Sequence, residues 1–104
     1  MQEVIEKIRK FNEDRDWDQF HQPVHLAKSI VIEAAELLEC FQWSDDYNKE
    51  DVCEELADVM NYCIVLTNKL SVDIKTIILD KLAKTELKYP VEKAKGVSTK
   101  YDKL

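Results

Sequence analysis

Apolar residues recur along this chain at three- and four-residue spacing, and polar or proline-containing stretches divide the pattern into four helical runs. Val4, Ile5, Ile8 and Phe11 share one face of a first helix expected near 2–14. The stretch from Arg15 to Gln22 breaks the period, and Pro23 then suits an early helix position, where a missing N–H costs nothing. A second helix, near 23–42, carries the stripe Ile30, Val31, Ala34, Leu37, Leu38 and Phe41. A third, near 49–70, carries Val52, Leu56, Val59, Met60, Cys63, Leu66 and Leu70. Asn48 is its expected N-cap, with Asp51 in the first turn. Asp73 is the expected cap of a fourth helix near 74–88, which Tyr89-Pro90 ends. Residues 91–104 read as an extended or partly ordered tail. The pattern predicts an all-α fold.

Two acidic pairs interrupt this scheme in a regular way. Glu33 and Glu36 stand three apart on the second helix, and Glu55 and Asp58 stand three apart on the third. Residues three apart lie one above the other on a helix. At about 100° per residue, both pairs occupy the same flank of their apolar stripes, whereas Glu39 and Glu54 point outward. If the helices pack antiparallel, the two flanks meet across the seam or at a subunit boundary. Carboxylates beside a stripe are ordinarily solvated and serve solubility. Two matched pairs on consecutive helices favour a metal site instead, and four oxygen donors suit the hard cation Mg²⁺.

On the fourth helix, Lys81, Thr85 and Lys88 share a face with Ile74, Ile78 and Leu82. The lysines would neutralise the acids, hold a triphosphate, or lay their stems on apolar surface with the ammonium in water. Trp17, Phe20, His21 and Trp43 cluster just before the second helix or just after it. An indole stacks well on a nucleobase, but it serves equally as core or interface in a small helical protein. His21 and His25 are too few and wrongly spaced for a di-iron bundle. No Ser-His-Asp order, glycine-rich phosphate loop or zinc spacing is present, and no cysteine has a plausible histidine partner. Water activated by a metal is the chemistry this residue set supports.

Composition narrows the picture. One Gly and two Pro leave few turns, in keeping with long helices. A net charge of −6 argues against non-specific binding of a nucleic-acid polymer, and it makes a bridging cation more necessary for a phosphate-bearing substrate. Cys40, Cys53 and Cys63 form no CxxC pair and are expected to be reduced, buried thiols. Without a signal peptide or a membrane-length apolar run, the expected setting is cytoplasmic, with no membrane partner. The 104 residues fit one domain, 1–104, near the size where oligomerisation often adds stability.

These residues resemble the signature of the MazG-like, all-α nucleotide pyrophosphohydrolases, in which an ExxE pair is followed by an ExxD pair. The likeness extends to Arg15-Asp16-Trp17, Phe20-His21-Gln22-Pro23, Phe41-Gln42-Trp43, Lys88-Tyr89-Pro90 and Lys100-Tyr101, strings similar to the dCTP pyrophosphatase branch. The resemblance implies a four-helix-bundle fold, assembled as a homodimer or homotetramer. It also implies Mg²⁺-dependent cleavage of a nucleoside triphosphate between the α- and β-phosphates. By matched position, Glu33, Glu36, Glu55 and Asp58 would hold the metal and serve catalysis. Trp17 and Trp43 would flank the base, with His21 near the same pocket, and Lys81 and Lys88 would face the phosphates.

Two departures stand out. Thr85 occupies a place where related sequences often carry Asn, which exchanges an amide for a hydroxyl and touches sugar or base discrimination. Ile8 stands where some dCTP-selective members carry His, implying looser base selectivity. The expected substrate is dCTP or a modified dCTP. The alternatives are a broad house-cleaning nucleoside triphosphate pyrophosphatase and a helical interaction module without activity.

Overall fold

A computed structural model describes all of residues 1–104, and every regular element in it is helical. The four expected helices are present: α1 (Gln2–Asp14), α2 (Pro23–Glu39), α3 (Lys49–Lys69) and α4 (Ile74–Lys88). A single-turn helix, α5 (Val91–Ala94), and two short 3-10 turns at Asp18–Phe20 and Tyr101–Lys103 complete the chain. No helix is long and apolar enough to cross a membrane.

The chain divides into two compact units, Met1–Val72 and Asp73–Leu104. In the first, α3 is the central element and packs against both α2 and α1. Leu26 and Ile64 are almost wholly buried there, with Ile5 and Thr67 close behind. The Thr67 hydroxyl donates to the Ile64 carbonyl at 2.7 Å, so this buried polar group is satisfied within its own helix. Asn48 caps α3 as expected, accepting from the Asp51 amide at 3.0 Å.

Helices α1 and α3 end in the same way. Asp16 and Ser71 adopt left-handed backbone conformations, with φ of 54° and 57°. The Asp16 and Trp17 amides donate back to the Glu13 and Asn12 carbonyls, and those of Ser71 and Val72 donate to Asn68 and Thr67. This paired closure is the Schellman arrangement, which satisfies carbonyls left open at a helix C-terminus. Glycine usually holds the left-handed position, but aspartate tolerates it through local hydrogen bonding. Here the Gln19 side-chain amide donates to both the Asp16 carboxylate and its carbonyl.

In the second unit, Asp73 caps α4, its carboxylate accepting from the Thr76 amide at 3.0 Å and the Thr76 hydroxyl at 2.8 Å. Pro90 then caps α5, accepting from the Lys93 and Ala94 amides. The last residues fold back to α4: the Tyr101 amide donates to the Tyr89 hydroxyl at 3.2 Å, and the two rings meet edge to face.

Three expectations need correction. Helix α2 stops at Glu39 rather than near 42, because the Cys40, Phe41 and Gln42 amides bond three residues back and tighten the chain into a 3-10-like turn. The tail is not simply extended, since Pro90 starts a new turn and the Tyr89 hydroxyl anchors a second. The three cysteines are free as expected but not buried: Cys40 and Cys63 are half-buried, and Cys53 is exposed.

Candidate active site

Helices α2 and α3 bring the two acidic pairs together. One carboxylate oxygen from each of Glu33, Glu36, Glu55 and Asp58 falls within 4.8 Å of all the others. Glu33 and Glu55 sit inward and half-buried, and Glu36 and Asp58 sit at the exposed edge. The outward pair expected from the helical wheel, Glu39 and Glu54, is exposed and outside the cluster.

Four carboxylates this close cannot all keep their ordinary acidity. Glu33 is pushed up to about 7, first by sharing a hydrogen bond with Glu36, then by burial and by the charges of Glu36, Asp58 and Glu55. Burial raises Glu55 too, followed by the charge of Glu36 and a hydrogen bond with it. Cys40 is raised by burial and by the charges of Glu55 and Asp51. Within this cluster the Oε2 atoms of Glu33 and Glu55 are buried and have no hydrogen-bond partner. Unpartnered buried oxygens are costly, and a cation would satisfy them. An all-carboxylate donor set fits a hard divalent ion such as Mg²⁺ rather than a softer metal.

A cavity of ≈ 460 Å³ opens beside the cluster, and Asp58 lies in its wall. From α1 come Val4, Lys7, Ile8, Phe11 and Asn12, one helical face, and from α3 come Asn61, Tyr62 and Val65. Trp17 and His21 close it. Trp17 is held there by the end of α1. The residue after the left-handed position of a Schellman closure usually packs on the last turn, and the Trp17 ring meets Phe11 edge-on, 5.6 Å between centroids. The Arg15 guanidinium covers the Phe11 ring, 3.6 Å from its centre, and Lys69 of α3 reaches Asp18 at 3.5 Å, tying the turn down. A smaller cavity behind the same wall shares Trp17, His21 and Tyr62 with it.

Of the sequence-predicted residues, the four acids are therefore together, with Trp17 and His21 beside them. Trp43 is 89% exposed in the connection after α2 and is not part of the cavity wall. On α4, Lys81 and Lys88 are exposed, and the half-buried Thr85 donates its hydroxyl to the Lys81 carbonyl at 3.0 Å. The Lys88 ammonium lies 4.6 Å from the centre of the Tyr101 ring. Sequence reasoning missed Asn12, Asn61 and Tyr62. Asn61 and Tyr62 follow Asp58 by three and four residues, so helical spacing from the acid already pointed to them.

A profile of the MazG-like family matches residues 28–104. That span holds all four acids of the cluster. The chain belongs to the MazG-like family. Among MazG-like and related proteins, it is 36% identical to dCTP pyrophosphatase 1 of Rattus norvegicus, in an alignment spanning 97% of this chain and 68% of that protein. The Homo sapiens protein of the same name is 35% identical over the same shares. A pyrophosphatase from Archaeoglobus fulgidus, known from its crystal structure, is 37% identical with a TM-score of 0.81, covering 86% of this chain and 92% of its own.

Proposed function

We propose that this MazG-like chain is a Mg²⁺-dependent nucleoside triphosphate pyrophosphohydrolase. It cleaves between the α- and β-phosphates, giving a monophosphate and pyrophosphate, with dCTP or a modified dCTP as the leading substrate. One observation carries this reading: Asp58 belongs both to the acidic cluster and to the wall of the cavity that Trp17 closes. A ligand with a flat, partly apolar end and a highly charged end matches that juxtaposition, and a nucleotide is such a ligand. The names of the rat, human and archaeal relatives point the same way.

In this mechanism Glu33, Glu36, Glu55 and Asp58 would hold the metal, and the ion would supply charge neutralisation at the triphosphate and polarise the phosphorus toward water. One of the four carboxylates accepts the proton of the attacking water. Trp17 and Trp43 flank the base, with His21 near the same pocket. Lys81 and Lys88 contact phosphate oxygens, and Thr85 contacts the sugar or base. The protein acts in the cytoplasm as one domain assembled into a homodimer or homotetramer. The exposure of Val31, Ile32 and Leu38 on α2 supports assembly, since large apolar side chains gathered on one helix favour burial.

Ile8 in the cavity wall offers no hydrogen bond to a base, which favours a broader house-cleaning activity as the second reading. A panel of nucleoside triphosphates, scored for pyrophosphate release with and without Mg²⁺, tests both. Mg²⁺-dependent release from dCTP and its modified forms, with purine triphosphates left intact, supports the first reading, and release from purine and pyrimidine triphosphates alike supports the second. Absence of release from every one, with no Mg²⁺-nucleotide bound, would leave a non-enzymatic interaction module.

A further inference from the structure

Two polar side chains in the cavity wall have no part in the function described so far. Asn12 comes from α1 and Asn61 from α3, and both line the cavity that also holds Trp17 and Asp58. The Asn12 backbone carbonyl is occupied, accepting from the Arg15 and Trp17 amides at 3.3 and 3.1 Å. Asn12 is half-buried and Asn61 is exposed at the cavity's mouth, and their side-chain amides are free to meet a ligand beside the apolar Ile8, Phe11 and Val65. Polar groups set in a mainly apolar pocket commonly fix the orientation of a ligand.

We propose that Asn12 and Asn61 read the hydrogen-bonding edge of a pyrimidine base, and that they accept cytosine and uracil bases with comparable efficiency. The proposal rests on the nucleotide-hydrolysis reading above and adds the choice of base to it. An asparagine amide carries a carbonyl acceptor and an NH₂ donor side by side. Cytosine presents an amine donor at N4 beside an acceptor at N3. Uracil presents an acceptor at O4 beside an N3–H donor. An amide meets the first pattern in one orientation and the second after a half-turn about its terminal torsion, which is soft. Discrimination between the two bases needs a side chain of fixed polarity.

Of the other polar groups in the wall, Asp58 has fixed polarity but belongs to the acidic cluster, and the rest leave the choice open. Ile8 has no hydrogen-bonding atom, and Tyr62 and neutral His21 can each donate or accept. Lys7, a pure donor, lies at the cavity's edge with its ammonium paired to Glu3 at 3.2 Å. Base choice therefore falls to two groups that can reverse.

Steady-state pyrophosphate release from dCTP and dUTP, measured on the full chain with Mg²⁺, tests this. The expected kcat/KM ratio for the wild type lies within about tenfold of unity, and a larger preference for either base overturns the proposal. Asn12→Leu and Asn61→Leu are each expected to raise KM for both substrates by about tenfold, with kcat nearly kept, because one hydrogen-bonding group is lost. Unchanged KM in both variants overturns it. Asn12→Asp and Asn61→Asp supply an acceptor-only group, so at least one of them should shift the ratio toward dCTP by about tenfold or more. An unchanged ratio in both is again contrary.

If neither nucleotide is hydrolysed, the catalytic reading fails separately. Titration of tryptophan fluorescence with non-hydrolysable dCTP and dUTP analogues then decides base reading alone. Equal affinities that weaken in the leucine variants support the proposal. Unequal affinities, unaltered affinities or absence of binding overturn it.

Discussion

Trp17 meets Phe11 edge to face, with ring centroids 5.6 Å apart and planes at 75°, and this contact exists because Asp16 turns the chain through a left-handed conformation. Replacing Asp16 by valine puts a β-branched side chain at φ 54°, at a cost of about 1–2 kcal/mol. Loss of the turn would also free Trp17 from the cavity wall. Asp16→Val should lower the midpoint of thermal unfolding, red-shift tryptophan emission and raise KM for nucleotide, while Asp16→Gly keeps all three near the wild-type values. Equal KM in the two variants would separate the turn from base binding.

The acidic cluster makes a sharper distinction among neighbouring residues. Glu36 and Asp58 contribute oxygens within 4.8 Å of the other two acids, whereas Glu39, three residues on from Glu36, lies outside the group. Glu36→Gln and Asp58→Asn preserve shape and remove charge, so each should reduce pyrophosphate release by about 100-fold or more. The far-ultraviolet helical signal should be unchanged, because both positions are exposed. Glu39→Gln should turn over like the wild type. Retained turnover in both cluster variants would remove the proposed metal site.

That distinction was legible in the sequence because it depends on one helical wheel at a time. The caps were legible for the same reason: Asn48 and Asp73 act on amides only three residues ahead. What stayed hidden depends on relations between elements. The cavity wall forms where the face of α1 bearing Ile8 and Asn12 lies opposite Asn61 and Tyr62 of α3, and no local period encodes that pairing. The end of α2 was misplaced because a switch to three-residue hydrogen bonds at Cys40 leaves the apolar period intact through Phe41. The stripes overstated the core as well. Val31 and Leu38 follow the α2 period, yet each is 69% exposed, because periodicity marks which residues favour burial and not what covers them.

The two capping side chains should respond differently to acid. Asn48→Ala removes an uncharged cap and should cost about 1 kcal/mol at any pH. Asp73 is held below its ordinary value of 3.8 by the Thr76 hydroxyl first and the Thr76 amide second. A lowered folded-state value means that its stabilisation is present above pH 3.8 and is lost as the pH falls through the folded-state value. Asp73→Asn should therefore match the wild type in strong acid and diverge from it at neutral pH. Thermal unfolding followed at both pH values checks this, and a constant difference between the two chains would contradict the assignment.

Glu33 titrates with the opposite sign. Its carboxyl is pushed up from 4.5 to about 7, so the metal-free folded chain keeps a proton that the unfolded chain releases. The resulting stabilisation is fully present below pH 4.5 and disappears as the pH rises through 7. Glu33→Gln should flatten that part of the stability profile measured without metal. Metal ligation requires the deprotonated carboxylate, so Mg²⁺ competes directly with the proton. Apparent Mg²⁺ affinity should hence fall as the pH drops below 7, by up to about tenfold per unit. Calorimetric titration at pH 6 in buffers of different ionisation enthalpy should reveal release of about one proton per Mg²⁺ bound. Affinity that is equal at pH 6 and pH 8, with no proton released, would mean that Glu33 does not contact the ion.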